Sequence, residues 1–194
     1  DIEGVMSVRT RQTLNPEKLK ADMEKIKILY DSKGFYNAEV GYATERPGER
    51  DIHIVVSIVE NEKLFIRDIS FEGNRTFTTK ELKNMMTTNE WGIFHFFTDS
   101  GVLKKDQLKQ DVGKLSAFYM NNGFINVQIG EPIITYDRDG IRIKIPVSEG
   151  RQFRVGKVEI TGDEIKIPRA ELTAKLLILK RDFYDREAIM KDID

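Results

Sequence analysis

The 194-residue chain carries 31 basic and 32 acidic residues, a formal charge of −1, with 40% apolar residues and no cysteine. That balance removes the bulk attraction on which nucleic-acid or anionic-membrane binding depends, and the missing thiols exclude disulfides, thiolate metal sites and cysteine nucleophiles. No apolar run approaches the roughly 20 residues of a spanning helix, and Asp1-Ile2-Glu3-Gly4 lacks the basic and apolar parts of a signal peptide, so the expectation is a cytosolic chain or an excised piece of an exported one. His53 sits in a strand-like alternation and His95 among aromatics, contexts that suit packing better than a metal site.

In chain order, Asn15 before Pro16 predicts a helix N-terminus, and the helix runs to about Lys33 with Leu19, Met23, Ile26 and Tyr30 on one face. Gly34 supplies its stop. Ala38, Val40 and Tyr42 alternate, Pro47-Gly48 turns the chain, and Ile52, Ile54, Val56 and Ile58 alternate again, which predicts a β-hairpin. Phe65 to Glu72 reads as a strand ending at Gly73-Asn74, followed by a short helix from Thr79 to Met86 capped by Thr78 or Thr79. An aromatic segment, Trp91-Gly92-Ile93-Phe94-His95-Phe96-Phe97, precedes a second long helix over Lys105 to Asn122. Its apolar face is Leu108, Val112, Leu115 and Tyr119. A strand over Asn126 to Pro132, a turn at Asp139-Gly140 and a strand carrying Ile141, Ile143, Ile145 and Val147 complete a second hairpin. Pro146 conflicts with its strand, because proline cannot donate to a ladder, and must lie where no neighbour needs the missing bond.

An internal repeat organises these elements. Leu19, Met23, Ile26 and Tyr30 recur 89 positions later as Leu108, Val112, Leu115 and Tyr119, as do Gly34-Phe35 as Gly123-Phe124 and Glu60 as Glu149. Ile69, Phe71 and Gly73 likewise recur as Val158, Ile160 and Gly162, which places another opening strand there, while Asp111 recurs as Asp192 at the shorter offset of 81. The unit is β-α-α-β-β, an α+β architecture. Residues 1–63 form the C-terminal part of one repeat, 64–151 a complete repeat and 152–194 the N-terminal part of the next.

The order of Phe71-Glu-Gly-Asn74, Tyr119-Met-Asn-Asn-Gly-Phe124 and Val147-Ser-Glu-Gly150 within this unit resembles the POTRA domain, as found in the periplasmic arm of the BamA family of outer-membrane β-barrel assembly factors. The aromatic insertion makes the complete repeat similar to the third POTRA of that arm. The first copy departs from the pattern with Glu60-Asn61, and the third with Gly162-Asp163. The resemblance implies tandem repeats, each a three-stranded mixed sheet with two helices on one face. It implies a module on the periplasmic side of the bacterial outer membrane that receives unfolded outer-membrane β-barrel proteins and docks accessory lipoproteins. Membrane contact would then come only through a C-terminal barrel outside these 194 residues, with no catalytic centre, cofactor or nucleic acid involved.

The residues themselves offer no enzymatic constellation: neither a G-x-G-x-x-G nor a phosphate loop occurs. Asp137-Arg138-Asp139-Gly140 reads as a hairpin turn because its glycine comes too early for a calcium loop, and Asn74-Arg75-Thr76 as a turn rather than a glycosylation site. The binding chemistry that remains is backbone chemistry. The strand of Asn126, Val127, Gln128, Ile129, Gly130 and Glu131 is expected at a sheet edge, where unpaired N–H and C=O groups accept an extended polypeptide, as the resemblance also implies. Proline at Gln128 or Gly130 would test that edge. The alternative is an ordinary solvated edge guarded by Pro132 and Glu131, in a repeat that serves as a passive spacer. Trp91, Ile93, Phe94, Phe96 and Phe97 form a possible contact loop, or else cap the helix pair.

Overall fold

The computed structural model describes residues 2–48, 51–92, 101–162 and 167–193. They group into two compact units. One runs to Arg67 and includes Glu90–Lys104 and Asp137–Ile141, and the other comprises Asp68–Asn89, Lys105–Tyr136 and Arg142–Asp194.

In the first unit a short helix α1 (Ile2–Val5) precedes α2 (Pro16–Ser32). Asn15 caps α2 as its residue type predicts: Oδ1 accepts the amides of Glu17 at 2.9 Å and Lys18 at 3.1 Å. Leu19, Met23 and Ile26 form the buried stripe, with Tyr30, Val40, Ile54, Val56 and Ile58 packed around it. Helix α2 lies on β1 (Glu39–Glu45), which pairs antiparallel with β2 (His53–Val59) from Glu39 opposite Val59 to Glu45 opposite His53.

The next repeat begins with β3 (Ile66–Glu72) and α3 (Thr79–Asn84). Thr78 is the cap of α3: its hydroxyl accepts the Glu81 amide at 3.3 Å while Glu81 Oε2 accepts the Thr78 amide at 2.8 Å, a reciprocal capping box. Helix α4 (Lys105–Met120) buries Leu108, Leu115 and Tyr119 and packs on β4 (Gln128–Ile129). Strands β5 (Ile133–Asp137) and β6 (Gly140–Ser148) follow. The sheet order is β3-β6-β4, with β5 also paired to β6. Strand β6 buries Ile141, Ile143, Ile145 and Val147 and exposes Arg142, Lys144 and Ser148, a one-sided alternation.

Two expectations are corrected. The strand expected over Asn126 to Pro132 is regular only at Gln128–Ile129. Gly130–Pro132 interrupts it, β5 resumes the edge, and the three ranks of strand therefore contain four strands. Pro146 stands opposite that interruption: Gly130 N donates to Pro146 O at 2.8 Å, and the return bond is the one proline cannot give. Val158 and Ile160 do not form the expected opening strand of the third copy, because among the described residues no strand pairs with that segment. Only an isolated bridge between Arg154 and Phe183 forms there. The third copy is otherwise helical, with α5 (Arg169–Lys175), a 3₁₀ turn (Ile178–Lys180) and α6 (Arg186–Ile193).

One carboxylate device recurs in all three copies. Asp22, buried on α2, accepts the amides of Ser7 (2.7 Å) and Val8 (2.8 Å). Asp111, buried on α4, accepts those of Thr87 (2.9 Å) and Thr88 (2.8 Å), and Asp192 on α6 those of Leu177 (2.7 Å) and Ile178 (2.9 Å). Each aspartate thus ties the chain ahead of its helix to the helix itself. Lys25 and Lys114 pair with Asp22 and Asp111 at 2.8 Å. Burial alone would raise both carboxyls, but the lysine and the paired amides outweigh it and hold both below the ordinary aspartate range.

Candidate polypeptide-docking edge

The edge is built from the turn that ends α4. Gly123 adopts φ +91°, its carbonyl accepts Phe153 N at 2.8 Å, and Phe124 N returns to Tyr119 O at 3.0 Å, so the chain leaves the helix in a fixed direction. Buried Val127 follows, and β4 then pairs with β6, Gln128 opposite Ser148 and Ile129 opposite Val147. Antiparallel ladders alternate pairs that exchange hydrogen bonds with pairs that do not. Because Gly130 bonds inward to Pro146, Gln128 also faces inward, and the backbone groups of Ile129 point away from the sheet. Gln128 is exposed on its side-chain face and Ile129 half-buried, while Asn126 lies in the preceding turn and Glu131 in the interruption.

Strand β5 extends this edge beyond the residues the sequence singled out. Ile133 is 54% and Tyr136 43% exposed, so two large side chains stand on the continuation of the edge. The strand-forming run Ile133-Ile134-Thr135-Tyr136 was legible in the sequence, but Pro132 masks it as a terminator.

A buried staple fixes the partner strand. Glu149, at the end of β6, accepts the amides of Arg75 (2.8 Å) and Thr76 (3.0 Å), the Thr76 hydroxyl (2.8 Å) and the Tyr119 hydroxyl (3.0 Å). The turn after β3, the end of β6 and the core tyrosine of α4 therefore meet at one carboxylate. Burial pushes that carboxyl up, but the donors from Thr76, Arg75 and Tyr119 hold it below its usual range, while burial and the same carboxylate push the Tyr119 phenol well above its own. Tyr30 donates to Glu60 at 3.0 Å in the first copy, the same pair 89 positions earlier.

Trp91 belongs to the other unit. Its amide donates to Ile66 O at 2.8 Å and its ring packs on Phe65, with centroids 5.7 Å apart, so it rests on the start of β3. Ile93, Phe94, Phe96 and Phe97, together with His95, lie outside the described residues. Among the described residues no helix is long and apolar enough to cross a membrane.

Comparison with known proteins converges on one family. The profile of the POTRA family, described as a surface antigen variable number repeat, matches residues 1–61 and 64–150. The chain is 33% identical over 166 residues to the outer membrane protein assembly factor BamA of Nitratidesulfovibrio vulgaris, covering 85% of this chain and 21% of that protein. It is 32% identical over 178 residues to the protein of the same name from Neisseria meningitidis, covering 91% of this chain and 22% of that one. It therefore spans about a fifth of the length of these relatives. The N-terminal domain of Omp85 from Thermosynechococcus elongatus has the same fold, with a TM-score of 0.51 at 18% identity over 99% of this chain and 75% of that one. The repeated β-α-α-β-β unit, its tyrosine and glutamate pair and this profile agree: the chain belongs to the POTRA family.

Proposed function

We propose that this chain is a periplasmic binding and scaffold module of outer-membrane protein assembly. In this reading it receives unfolded β-barrel proteins as short extended segments at β4 or at β5 and docks accessory lipoproteins of the machinery. The observation that carries the reading is the outward backbone of Ile129 on a strand whose inner side is paired to β6 at Gln128 and Gly130. Backbone pairing tolerates many sequences, which suits a receptor for many clients. The shared name of the two relatives, outer membrane protein assembly factor, supplies the setting.

The amide directions also select the right variant. Proline at Gln128 or Gly130 would remove an inward donor and loosen the sheet itself, whereas Ile129→Pro removes an outward donor at a pair that exchanges no bond with Val147. With Ile129→Ala controlling for the lost side chain, Ile129→Pro weakens binding of an extended barrel-protein peptide about tenfold or more while the melting temperature follows that of the alanine variant. A photo-crosslinker at the exposed Gln128 position labels with the same peptide. Parent-level binding by Ile129→Pro together with no crosslink at position 128 would replace this reading with that of a passive spacer.

A further inference from the structure

A cationic and aromatic face at the start of β3 is independent of the edge just described. Leu64 and Ile66 are buried, so the alternating neighbours Lys63, Phe65 and Arg67 turn to the opposite side. Lys63 Nζ stands 5.3 Å from the centroid of Phe65, the Phe65 and Trp91 rings lie 5.7 Å apart, and Arg67 Cζ stands 4.8 Å from the centroid of Trp91. The order across the face is cation, ring, ring, cation.

The backbone beneath it is held on both sides. Leu64 N donates to Gly34 O at 2.9 Å, Ile66 N to Gly101 O at 2.7 Å and Ile141 N to Phe65 O at 2.8 Å, while Ile66 O accepts Trp91 N. Arg67 Nε donates to Asp139 O at 2.7 Å, and its stem lies so close to Gly140 that a Cβ there would meet Arg67 Cγ at 2.5 Å. The guanidinium is positioned by a neutral carbonyl, and among the described residues no carboxylate pairs with Lys63 or Arg67. With Arg67 held in advance and unpaired by any carboxylate, that end of the face loses little freedom on binding an anion.

The geometry points to a docking site for an acidic segment of a partner polypeptide, one that presents two carboxylates four residues apart with an apolar side chain between them. Four residues of extended chain span about 13 Å, an interval that an extended peptide matches residue for residue and a single compact phosphate does not. An extended peptide running alongside has carboxylates at the same interval, and its middle side chain falls on the two rings. The Nη pair of Arg67 suits bidentate grip of one carboxylate, and the ring surface beside each cation lowers the local dielectric in which the pair forms.

Trp91 is the only tryptophan in the chain, so its emission reads the site directly. The probe is a blocked peptide carrying Glu-Ser-Leu-Ser-Glu, titrated against the full chain, with the Gln-Ser-Leu-Ser-Gln peptide as comparison. We expect a saturable change in Trp91 emission with the acidic peptide, at least about tenfold weaker binding of the neutral one, and a steep loss of affinity as salt rises to about 0.5 M. Arg67→Gln and Lys63→Gln, each checked for native circular dichroism, should each weaken binding. Lys63→Gln touches only the Phe65 end and keeps the test decisive if the arginine variant is destabilised. Ile129→Pro should leave this binding intact, which separates failure here from failure of the edge-strand reading. Equal binding of both peptides, no response of Trp91, or a response to phosphatidylglycerol vesicles in place of the acidic peptide would each overturn the proposal.

Discussion

Tyr119 is fully buried, and Phe77, Phe118 and Phe124 surround its ring at centroid distances of 5.1, 6.2 and 5.5 Å. Tyr119→Ala should therefore cost about 3–5 kcal/mol in urea unfolding, the usual result of emptying a large aromatic site. Tyr119→Phe keeps the ring and loses only the hydroxyl bond to Glu149, which retains its Arg75 and Thr76 donors, so about 1 kcal/mol is expected. The two variants together separate packing from the staple. Glu149 and Asp111 both have carboxyls held below their ordinary values of 4.5 and 3.8. A lowered native value means that the stabilisation is complete above the unfolded-state value and is lost as pH falls through the native one. Stability should thus be level from neutral pH to about pH 5 and decline below it, and Glu149→Gln should flatten part of that decline in melting curves taken from pH 7 to pH 3.

The long helices were legible in the sequence because three signals coincide in each: an apolar face at 3.6-residue period, a stop glycine and, for α2, an Asn-Pro start. Strand β6 was legible for a similar reason, four branched apolar residues in strict alternation. The edge was only half legible. Val127 and Ile129 announce a strand, but its extent depends on Pro146, a residue of the neighbouring strand, and no local pattern reports what lies across a ladder. The aspartate device was equally hidden, since Asp22, Asp111 and Asp192 look like solvent-facing helix charges until the amides they accept are in view. Equivalent elements also differ in ways that can be measured. Gly34 and Gly123 end α2 and α4 with φ of +95° and +91°, yet an added Cβ meets the flexible Lys63 side chain at 2.9 Å in the first case and the Phe153 carbonyl oxygen at 2.8 Å in the second. Both alanine variants carry the left-handed strain of about 1–2 kcal/mol, and Gly123→Ala should lose measurably more than Gly34→Ala because a backbone oxygen must move.

Across the whole molecule, the carboxylate device makes a prediction about how stability is shared among repeats. Asp22 and Asp111 serve different helices and share no hydrogen-bond partner. Asp22→Asn and Asp111→Asn should each destabilise by about 1.5–3 kcal/mol, since each weakens a buried charged acceptor of two amides. In the double variant the costs should add to within about 0.5 kcal/mol if each repeat keeps its own cooperative unit, and a larger deviation in unfolding free energies would reveal coupling between them. The interrupted edge has a consequence of another kind. A long, flat, unpaired strand is a template on which further copies stack without end, the geometry of fibrils. Here the outer rank offers two regular residues at β4, a break at Gly130–Pro132 and five at β5, with Pro146 across the gap unable to close it. A second molecule meeting this margin finds no continuous ladder to copy, so the same break that limits the edge also protects the protein from polymerising along it when many molecules crowd together.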